Sequence, residues 1–348
     1  MSLTQPTLMR IVYLHNILKY VTINPKEFLT LGLTNTSWYE CVTEYSEEVW
    51  VRINMNYEDK EGNKLLHILS KKKGLNKMMS LFLNYGMDKE AKNKYDMTPL
   101  HSACWNGHTE CVKLFLENGA NKEAKNMNNY TPLHYACFFN RTECVKLLLK
   151  NGANKETKDK CGETPLHFSS MNSNLECMKL LLENGANKET RNKYGETPLH
   201  SACTNGDEEC VKLLLENGAN KKAIDSYYLT PLHNACKNGR TECAKILLEK
   251  GANKDEKGSN NWTPLHYACN NGQSECVKLL LEANVNKDAM SFLKNETPLH
   301  FACINNHSEC VKLLLEAGAK KEIKNKKGEF AIDYARMYVF KECIELFK

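Results

Sequence analysis

The sequence predicts an all-α fold, a solenoid of about nine helix-turn-helix units with projecting loops, preceded by a small helical domain. Three observations predict it: the tetrapeptide Thr-Pro-Leu-His recurs, apolar residues after each copy follow helical spacing, and Asn-Gly turn signals follow the apolar runs. The copies are 33 residues apart, except for a last step of 34. Such a period is typical of stacked repeats. The copies begin at Thr98, Thr131, Thr164, Thr197, Thr230, Thr263 and Thr297.

The unit that begins at Thr98 shows how the first helix is specified. Thr98 is the predicted N-cap, and Pro99 takes the first helical position, where its missing N–H costs nothing. Leu100 and Ala103 belong to one apolar stripe. Gly107 supplies the left-handed residue that ends the helix. We therefore expect a short helix that begins at the proline of each Thr-Pro-Leu-His.

A second helix and a polar loop complete the unit. Val112, Leu114 and Phe115 give the second helix its apolar residues, and Gly119 ends it. Residues 120–130 are polar and rich in turn formers, which predicts a loop. Degenerate copies are expected at the ends, where one face of a repeat lacks a neighbour. With them, the units start near residues 64, 98, 131, 164, 197, 230, 263, 297 and 330.

These units resemble the ankyrin repeat, whose Thr-Pro-Leu-His signature is present seven times. The resemblance covers residues 60–348, and we assign residues 59–348 to the repeat domain. It implies a curved solenoid whose first helices line the concave face and whose loops point to one side. It also implies a scaffold that binds proteins and is not an enzyme. We find no P-loop, G-x-S-x-G or H-E-x-x-H motif that would indicate catalysis.

Residues 1–58 lie before the array and carry two tryptophans, Trp38 and Trp50. Apolar residues at helical spacing, a helix restart at Pro25 and the second tryptophan resemble the F-box. Met9 and Arg10 stand where that family usually has Leu-Pro. The resemblance implies recruitment of Skp1 and a cullin ubiquitin ligase; the alternative is a helical cap on the first repeat. The implied Skp1-binding residues are Leu14, Ile17, Leu18, Pro25, Leu29, Trp38 and Trp50.

Cysteine and histidine recur at fixed places in the repeat. Six units carry two cysteines seven residues apart, as at Cys104 and Cys111, and each signature contains a histidine. Zinc binding is one interpretation, but the spacing differs from the short C-x2-4-C of zinc sites. We favour cysteines that pack as small buried apolar residues and histidines that bond local backbone or the threonine hydroxyl. We expect neither a metal nor a cofactor.

Charge and composition limit the partners and the compartment. The net charge is +5, with −3 in residues 1–63 and +8 spread over the repeats, which is too dilute for a nucleic-acid site. We expect no membrane span and no signal peptide. Many thiols in one fold indicate a reducing compartment, the cytoplasm or nucleus, or a host cytosol for a viral or bacterial protein. A disulfide-linked secreted protein is the alternative.

Positions that vary between units are candidates for contact with a partner. Large aromatic residues recur at the loop tips and on the first helices, where they are typical interface anchors. The alternative is that the rings pack between adjacent repeats. We predict an adaptor that binds an unidentified target protein through this surface; a plain ankyrin scaffold is the second hypothesis. The predicted residues are Tyr95, Trp105, Tyr130, Tyr135, Phe138, Phe168, Tyr194, Tyr227, Tyr228, Trp262, Tyr267, Phe292 and Phe301.

Overall fold

A computed structural model describes residues 58–348, and within that range the prediction of an all-α fold is confirmed. These residues form eighteen α-helices and isolated β-bridges but no extended strand. The chain divides into two compact units. Unit 1 ends at Lys160, and unit 2 spans Cys161–Lys348.

Helices come in pairs, one pair for each repeat. Unit 1 contains α1 Leu65–Ser70, α2 Asn76–Asn84, α3 Pro99–Asn106, α4 Thr109–Glu117, α5 Pro132–Phe138 and α6 Thr142–Lys150. Unit 2 begins with α7 Pro165–Met171, α8 Leu175–Glu183, α9 Pro198–Asn205, α10 Glu208–Glu216, α11 Pro231–Lys237 and α12 Thr241–Glu249. After a 3-10 turn at Ser259–Asn261 it continues with α13 Pro264–Asn270, α14 Ser274–Glu282, α15 Pro298–Ile304, α16 Ser308–Glu316, α17 Ala331–Met337 and α18 Lys341–Glu345.

The signature histidine caps its own helix and also bonds the next repeat. In α3 the Thr98 N–H donates to Nδ1 of His101 at 3.0 Å. Because Nδ1 accepts this bond, Nε2 carries the proton and donates to the Tyr130 carbonyl, also at 3.0 Å. Burial lowers the pKa of His101 to about 4, so the ring is neutral at pH 7. The histidine therefore has the structural role that the sequence predicts.

Inside each unit, first helices pack against first helices and second helices against second helices. Examples are α3 with α5 in unit 1 and α13 with α15 in unit 2. Leu100, Val112 and Phe115 are completely buried between such neighbours. Burying a large apolar side chain stabilises the fold by about 1.5–3 kcal/mol. The core is therefore a continuous row of repeat interfaces within each unit.

Successive loops are joined by backbone hydrogen bonds. The Met127 N–H donates to the Tyr95 carbonyl at 3.0 Å in unit 1, and the Ser226 N–H donates to the Tyr194 carbonyl at 2.8 Å in unit 2. Gly107 ends α3 in the left-handed conformation with φ 74°, as predicted. These bonds hold the loops in one geometry, so the side chains at their tips are pre-organised for contact.

The cysteines pack in the interior. Of the fifteen that the structure describes, only Cys161 is exposed. Burial raises the pKa of the Cys104 and Cys203 thiols well above the usual value for cysteine. Both thiols therefore stay protonated at neutral pH and are unreactive. Ser70 and Ser170 take the Cys104 position in two other repeats. Their hydroxyls donate to the Leu66 and Leu166 carbonyls at 2.6 and 2.8 Å.

Replacing Cys203 by serine is expected to be nearly neutral for folding. The new hydroxyl can donate to the Leu199 carbonyl four residues earlier, as the serines in the same position do. We expect Cys203→Ser and Cys203→Ala each to lower the free energy of unfolding by less than about 1.5 kcal/mol. Urea denaturation measures this change. A loss of about 4 kcal/mol or more from either variant would instead indicate a metal ligand or cross-link at this position.

Candidate protein-binding site

A groove in unit 1 forms a concave surface across three successive repeats. It has a volume of about 530 Å³, within the range of ligand sites. Helices α3 and α5 and the loops before them form it, together with residues on either side of α1. Its apolar lining comes from Tyr95, Met97, Trp105, Met127 and Tyr135. We call this surface the unit 1 groove.

Stacked aromatic rings form one wall of the unit 1 groove. The ring of Trp105 stacks on Tyr135 at 5.2 Å between centroids and on Phe139 at 5.0 Å. Phe138 meets Phe139 edge to face at 4.8 Å, and Tyr130 meets Tyr135 in the same way at 5.7 Å. Trp105 nevertheless remains 41% exposed. The cluster is rigid enough to present a large ring to a partner at little entropic cost.

Buried polar groups form the floor of the groove. Nδ2 of Asn93 donates to Oδ1 of Asn63 at 2.8 Å, and Nδ2 of Asn126 donates to the Tyr135 hydroxyl at 2.9 Å. That hydroxyl donates only to Sδ of Met97, at 3.7 Å. Oγ of Ser102, in a residue that is 2% exposed, is the one buried side-chain N or O atom of residues 58–348 without a hydrogen-bond partner. An unsatisfied buried hydroxyl is costly, which points to a ligand.

Two opposite charges lie at the edge of the groove. Glu61 and Lys71 both line it, and the Lys71 ammonium lies 3.4 Å from the Glu61 carboxylate. The pair is exposed and contributes about 0–1 kcal/mol. Burial raises the pKa of Tyr135 to about 12, so its hydroxyl keeps its proton at pH 7. The groove is therefore close to neutral, with hydrogen-bond donors at its floor.

The predicted contact residues of unit 1 come together around this groove. Tyr95 and Trp105 line it and are 49% and 41% exposed, and the half-buried Tyr135 lies between wall and floor. Phe138 is 41% exposed, and Tyr130 is half-buried against Tyr135. These rings pack between repeats and also reach the surface.

In unit 2 the predicted residues fall into exposed loop tips and covered rings. Tyr194, Tyr227, Tyr228 and Phe292 are exposed at loop tips. Tyr228 has a left-handed backbone with φ 60°, which is uncommon for a bulky residue and marks a constrained tip. Trp262 and Tyr267 are half-buried, with ring centroids 5.0 Å apart. The described residues of unit 2 thus present aromatic tips on several successive loops.

The prediction that Phe168 and Phe301 lie at the surface is wrong. Phe168 is 3% exposed and Phe301 is 7% exposed. The Phe301 ring packs against Trp262 at 4.3 Å between centroids. Phe168 lies on α7, which packs against the neighbouring first helix α9. Both rings stabilise repeat stacking and are not available to a partner.

Sequence reasoning missed the polar floor and part of the wall. Asn126 falls in the predicted polar loop, and Asn93, Ser102, Met97 and Met127 are not among the predicted contact residues. One signal was present: Met97 directly precedes a Thr-Pro-Leu-His, where other units have Glu196 or Glu296. The predicted Skp1-binding residues lie outside the described residues, at Leu14, Ile17, Leu18, Pro25, Leu29, Trp38 and Trp50.

Residues 58–348 contain no group of three or more His, Cys, Asp or Glu side chains placed to hold a metal ion. In the same part of the chain, no helix has both the length and the apolar content that crossing a membrane requires.

Comparison with known proteins identifies the repeat. A family model described as ankyrin repeats, three copies long, matches residues 37–126, 66–159, 133–225, 223–291 and 286–348. Among solved structures, the chain is similar to the crystal structure of the ankyrin repeat domain of Bcl-3, titled a unique member of the IkappaB protein family. The two are 30% identical with a TM-score of 0.53, and the match covers 60% of this chain and 95% of the other. A search of curated proteins gave no match.

Proposed function

This chain belongs to the ankyrin-repeat family, whose arrays are protein-binding scaffolds, and we propose that it is a protein–protein interaction adaptor. In this proposal the array holds a target protein, and residues 1–58 act as an F-box-like segment that recruits Skp1 of a cullin ubiquitin ligase. The adaptor catalyses nothing itself. It raises the concentration of the target near the ligase.

The unit 1 groove is the observation that carries the binding half of the proposal. A tryptophan that stays 41% exposed while stacked on two other rings is typical of an interface anchor. The tips of Tyr194, Tyr227 and Tyr228 in unit 2 add further exposed aromatic surface on loops held by backbone bonds. Surface of this kind favours a protein partner over a small metabolite, because the aromatic residues extend over several repeats.

The ligase half of the proposal depends on the sequence of residues 1–58. We expect the intact chain to co-purify with Skp1, and we expect Trp38→Ala or Leu18→Ala to reduce the recovered Skp1 at least tenfold. Circular dichroism checks that the array is still folded in both variants. The matched control is Trp105→Ala, which lies in the array and should leave Skp1 recovery unchanged. Failure of the intact chain to bind Skp1 would contradict this half.

A plain ankyrin scaffold is the second candidate. The family match begins at residue 37 and so overlaps the end of the N-terminal segment, which favours a capping role for that part. Affinity purification of the chain with and without residues 1–58 separates the two candidates. Under the adaptor proposal, the truncated chain keeps its target but loses Skp1. Under the scaffold proposal, truncation lowers the melting temperature and changes no partner.

We further propose that the protein works in a reducing compartment, the cytoplasm or the nucleus. Fourteen of the fifteen described cysteines are buried thiols that pack in the core. A core that depends on this many reduced cysteines suits a reducing environment.

A further inference from the structure

The unit 1 groove and a site near the end of unit 2 are built from the same positions of the repeat. Tyr135 and Tyr334 both lie four residues after the first position of their repeat, and Asn126 and Asn325 both lie five residues before it. In each case the asparagine Nδ2 donates to the tyrosine hydroxyl at 2.9 Å. The two sites therefore share their hydrogen-bond donors, and a comparison shows which acceptors the unit 1 groove lacks.

The site in unit 2 contains its own carboxylates. The Tyr334 hydroxyl lies 2.9 Å from Oε1 of Glu296 and 3.0 Å from Oε2 of Glu329. Nδ2 of Asn325 also donates to Oε2 of Glu329, at 2.9 Å. The same arrangement recurs at Asn192, whose Nδ2 donates to Oε2 of Glu196 at 3.0 Å. Two loop asparagines of unit 2 thus donate to a glutamate carboxylate.

The corresponding acceptors are missing from the unit 1 groove. Met97 stands at the position of Glu296, and Tyr130 stands at the position of Glu329. The Tyr135 hydroxyl has only the thioether sulfur of Met97 as an acceptor, at 3.7 Å, and a thioether accepts weakly. Asn126 keeps a second amide hydrogen with no carboxylate to receive it.

A further donor lies in the same groove. Ser102 is 2% exposed, and its Oγ has no hydrogen-bond partner. Ser201 occupies the same position in a repeat of unit 2, and its Oγ donates to the Thr197 carbonyl at 3.5 Å. Ser102 makes no such bond and lines the groove instead. The floor therefore combines the donors of Tyr135, Asn126 and Ser102 and is short of acceptors.

We infer that the unit 1 groove binds an acidic side chain, Asp or Glu, of a partner protein, with an apolar residue beside it on the partner. The partner's carboxylate accepts the hydrogen bonds that Glu296 and Glu329 accept at Tyr334, and the apolar neighbour packs on Trp105. The inference rests on the proposed function and names the chemistry of the target segment.

The charges of the groove are compatible with this occupant. Glu61 is the one acidic residue in the lining, and it is already paired with Lys71 at 3.4 Å. When a second carboxylate enters, the flexible Lys71 side chain can share its charge between the two. Hydrogen bonds to a charged acceptor are stronger than those to a neutral one, so a carboxylate should be preferred to an amide of the same shape.

A peptide selection provides the test. A phage library of random 12-residue peptides is selected on the immobilised full-length chain, and peptides whose binding is weakened by Trp105→Ala are kept as groove binders. We expect these peptides to be enriched in Asp or Glu next to Phe, Leu or Trp. A selected peptide is then synthesised with blocked termini, together with its Glu→Gln or Asp→Asn form. The amide form should bind at least tenfold more weakly.

Substitutions in the groove give matched controls. Met97→Glu supplies the missing carboxylate from within, as Glu296 does at 3% exposure, and should weaken peptide binding at least tenfold. Met97→Leu removes the thioether without adding a charge and should change affinity less than threefold. Tyr135→Phe removes one donor, so it should weaken binding of the acidic peptide by about tenfold and binding of the amide form by less, because a hydrogen bond to a neutral acceptor is weaker. Tyr135→Phe also keeps the test decisive if Met97→Glu does not fold.

The two proposals fail in different ways. If groove binders are recovered but their acidic and amide forms bind equally, the carboxylate inference is overturned and the protein-binding function stands. If no selected peptide depends on Trp105, the groove is not the target site, and the proposed function loses the observation that supports it.

Discussion

Lowering the pH from 7 to 5 is expected to destabilise the repeat array by several kcal/mol, before the carboxylates titrate. Burial lowers the pKa of His101, His233 and His266 to about 4, against 6.5 for the unfolded chain. In each of these histidines Nδ1 already accepts the backbone N–H of the capping threonine. Protonation in the folded state would break that bond and place a charge in the core.

The direction of this effect follows from which state takes up protons. Above pH 6.5 the histidines are mostly neutral in both the folded and the unfolded state, so the difference in pKa does not lower the free energy of unfolding. Between pH 6.5 and 4 the unfolded chain binds protons that the folded chain refuses, and stability falls. At pH 5 each of the three histidines contributes a loss of about 2 kcal/mol. Unit 2, which contains His233 and His266, should therefore lose about 4 kcal/mol from these two alone.

Urea denaturation of the full chain at pH 7, 6 and 5 measures this effect. The carboxylates of Asp59, Asp207 and Glu329 have lowered pKa values in the folded protein. Their protonation therefore destabilises the fold only below pH 5, outside the range that is measured. His233→Gln serves as a control, because it costs stability at pH 7 but should reduce the fall between pH 7 and 5 by about 2 kcal/mol. Equal stability at pH 7 and pH 5 would contradict the assignment of neutral, buried capping histidines.

The capping histidine also illustrates what the sequence makes predictable. Thr98, Pro99 and His101 are neighbours in the chain, so their bonds depend on local geometry that a four-residue motif specifies completely. The Asn-Gly helix ends and the buried cysteines were predictable for the same reason, since the repeats that carry them have them at the same positions. Local rules, repeated many times, are enough to give the fold class.

Exposure of the aromatic residues was not predictable in the same way. Trp105 and Phe301 are both large rings on first helices, yet one is 41% exposed and the other 7%. Their difference comes from neighbours about 30–40 residues away in the chain, such as Trp262 beside Phe301. The missing acceptor at Tyr135 likewise becomes apparent only when Met97 and Asn126 are brought beside it. Periodicity predicts which face of a helix a residue lies on, but it does not predict whether side chains of other repeats cover that residue.

Trp105→Ala is expected to abolish most of the binding at the unit 1 groove, with a fall in affinity of about 100-fold for a groove-binding peptide. The ring is a central wall of the groove, and its stacking on Tyr135 and Phe139 fixes it in one orientation before the partner arrives. Truncation removes apolar contact and also the pre-organisation that keeps the entropic cost of binding low. Isothermal titration measures the change in affinity with a peptide that was selected on the full-length chain and not sorted beforehand with Trp105→Ala.

The matched control for this variant is Tyr228→Ala in unit 2. Its ring is 62% exposed on a loop that does not line the groove, so its removal should alter the affinity of the same peptide less than threefold. Because Trp105 is itself 41% exposed, Trp105→Ala should stay folded, and thermal melting with circular dichroism checks this. If Trp105→Ala binds the peptide as tightly as the wild type while Tyr228→Ala does not, the target segment lies on the loop tips of unit 2.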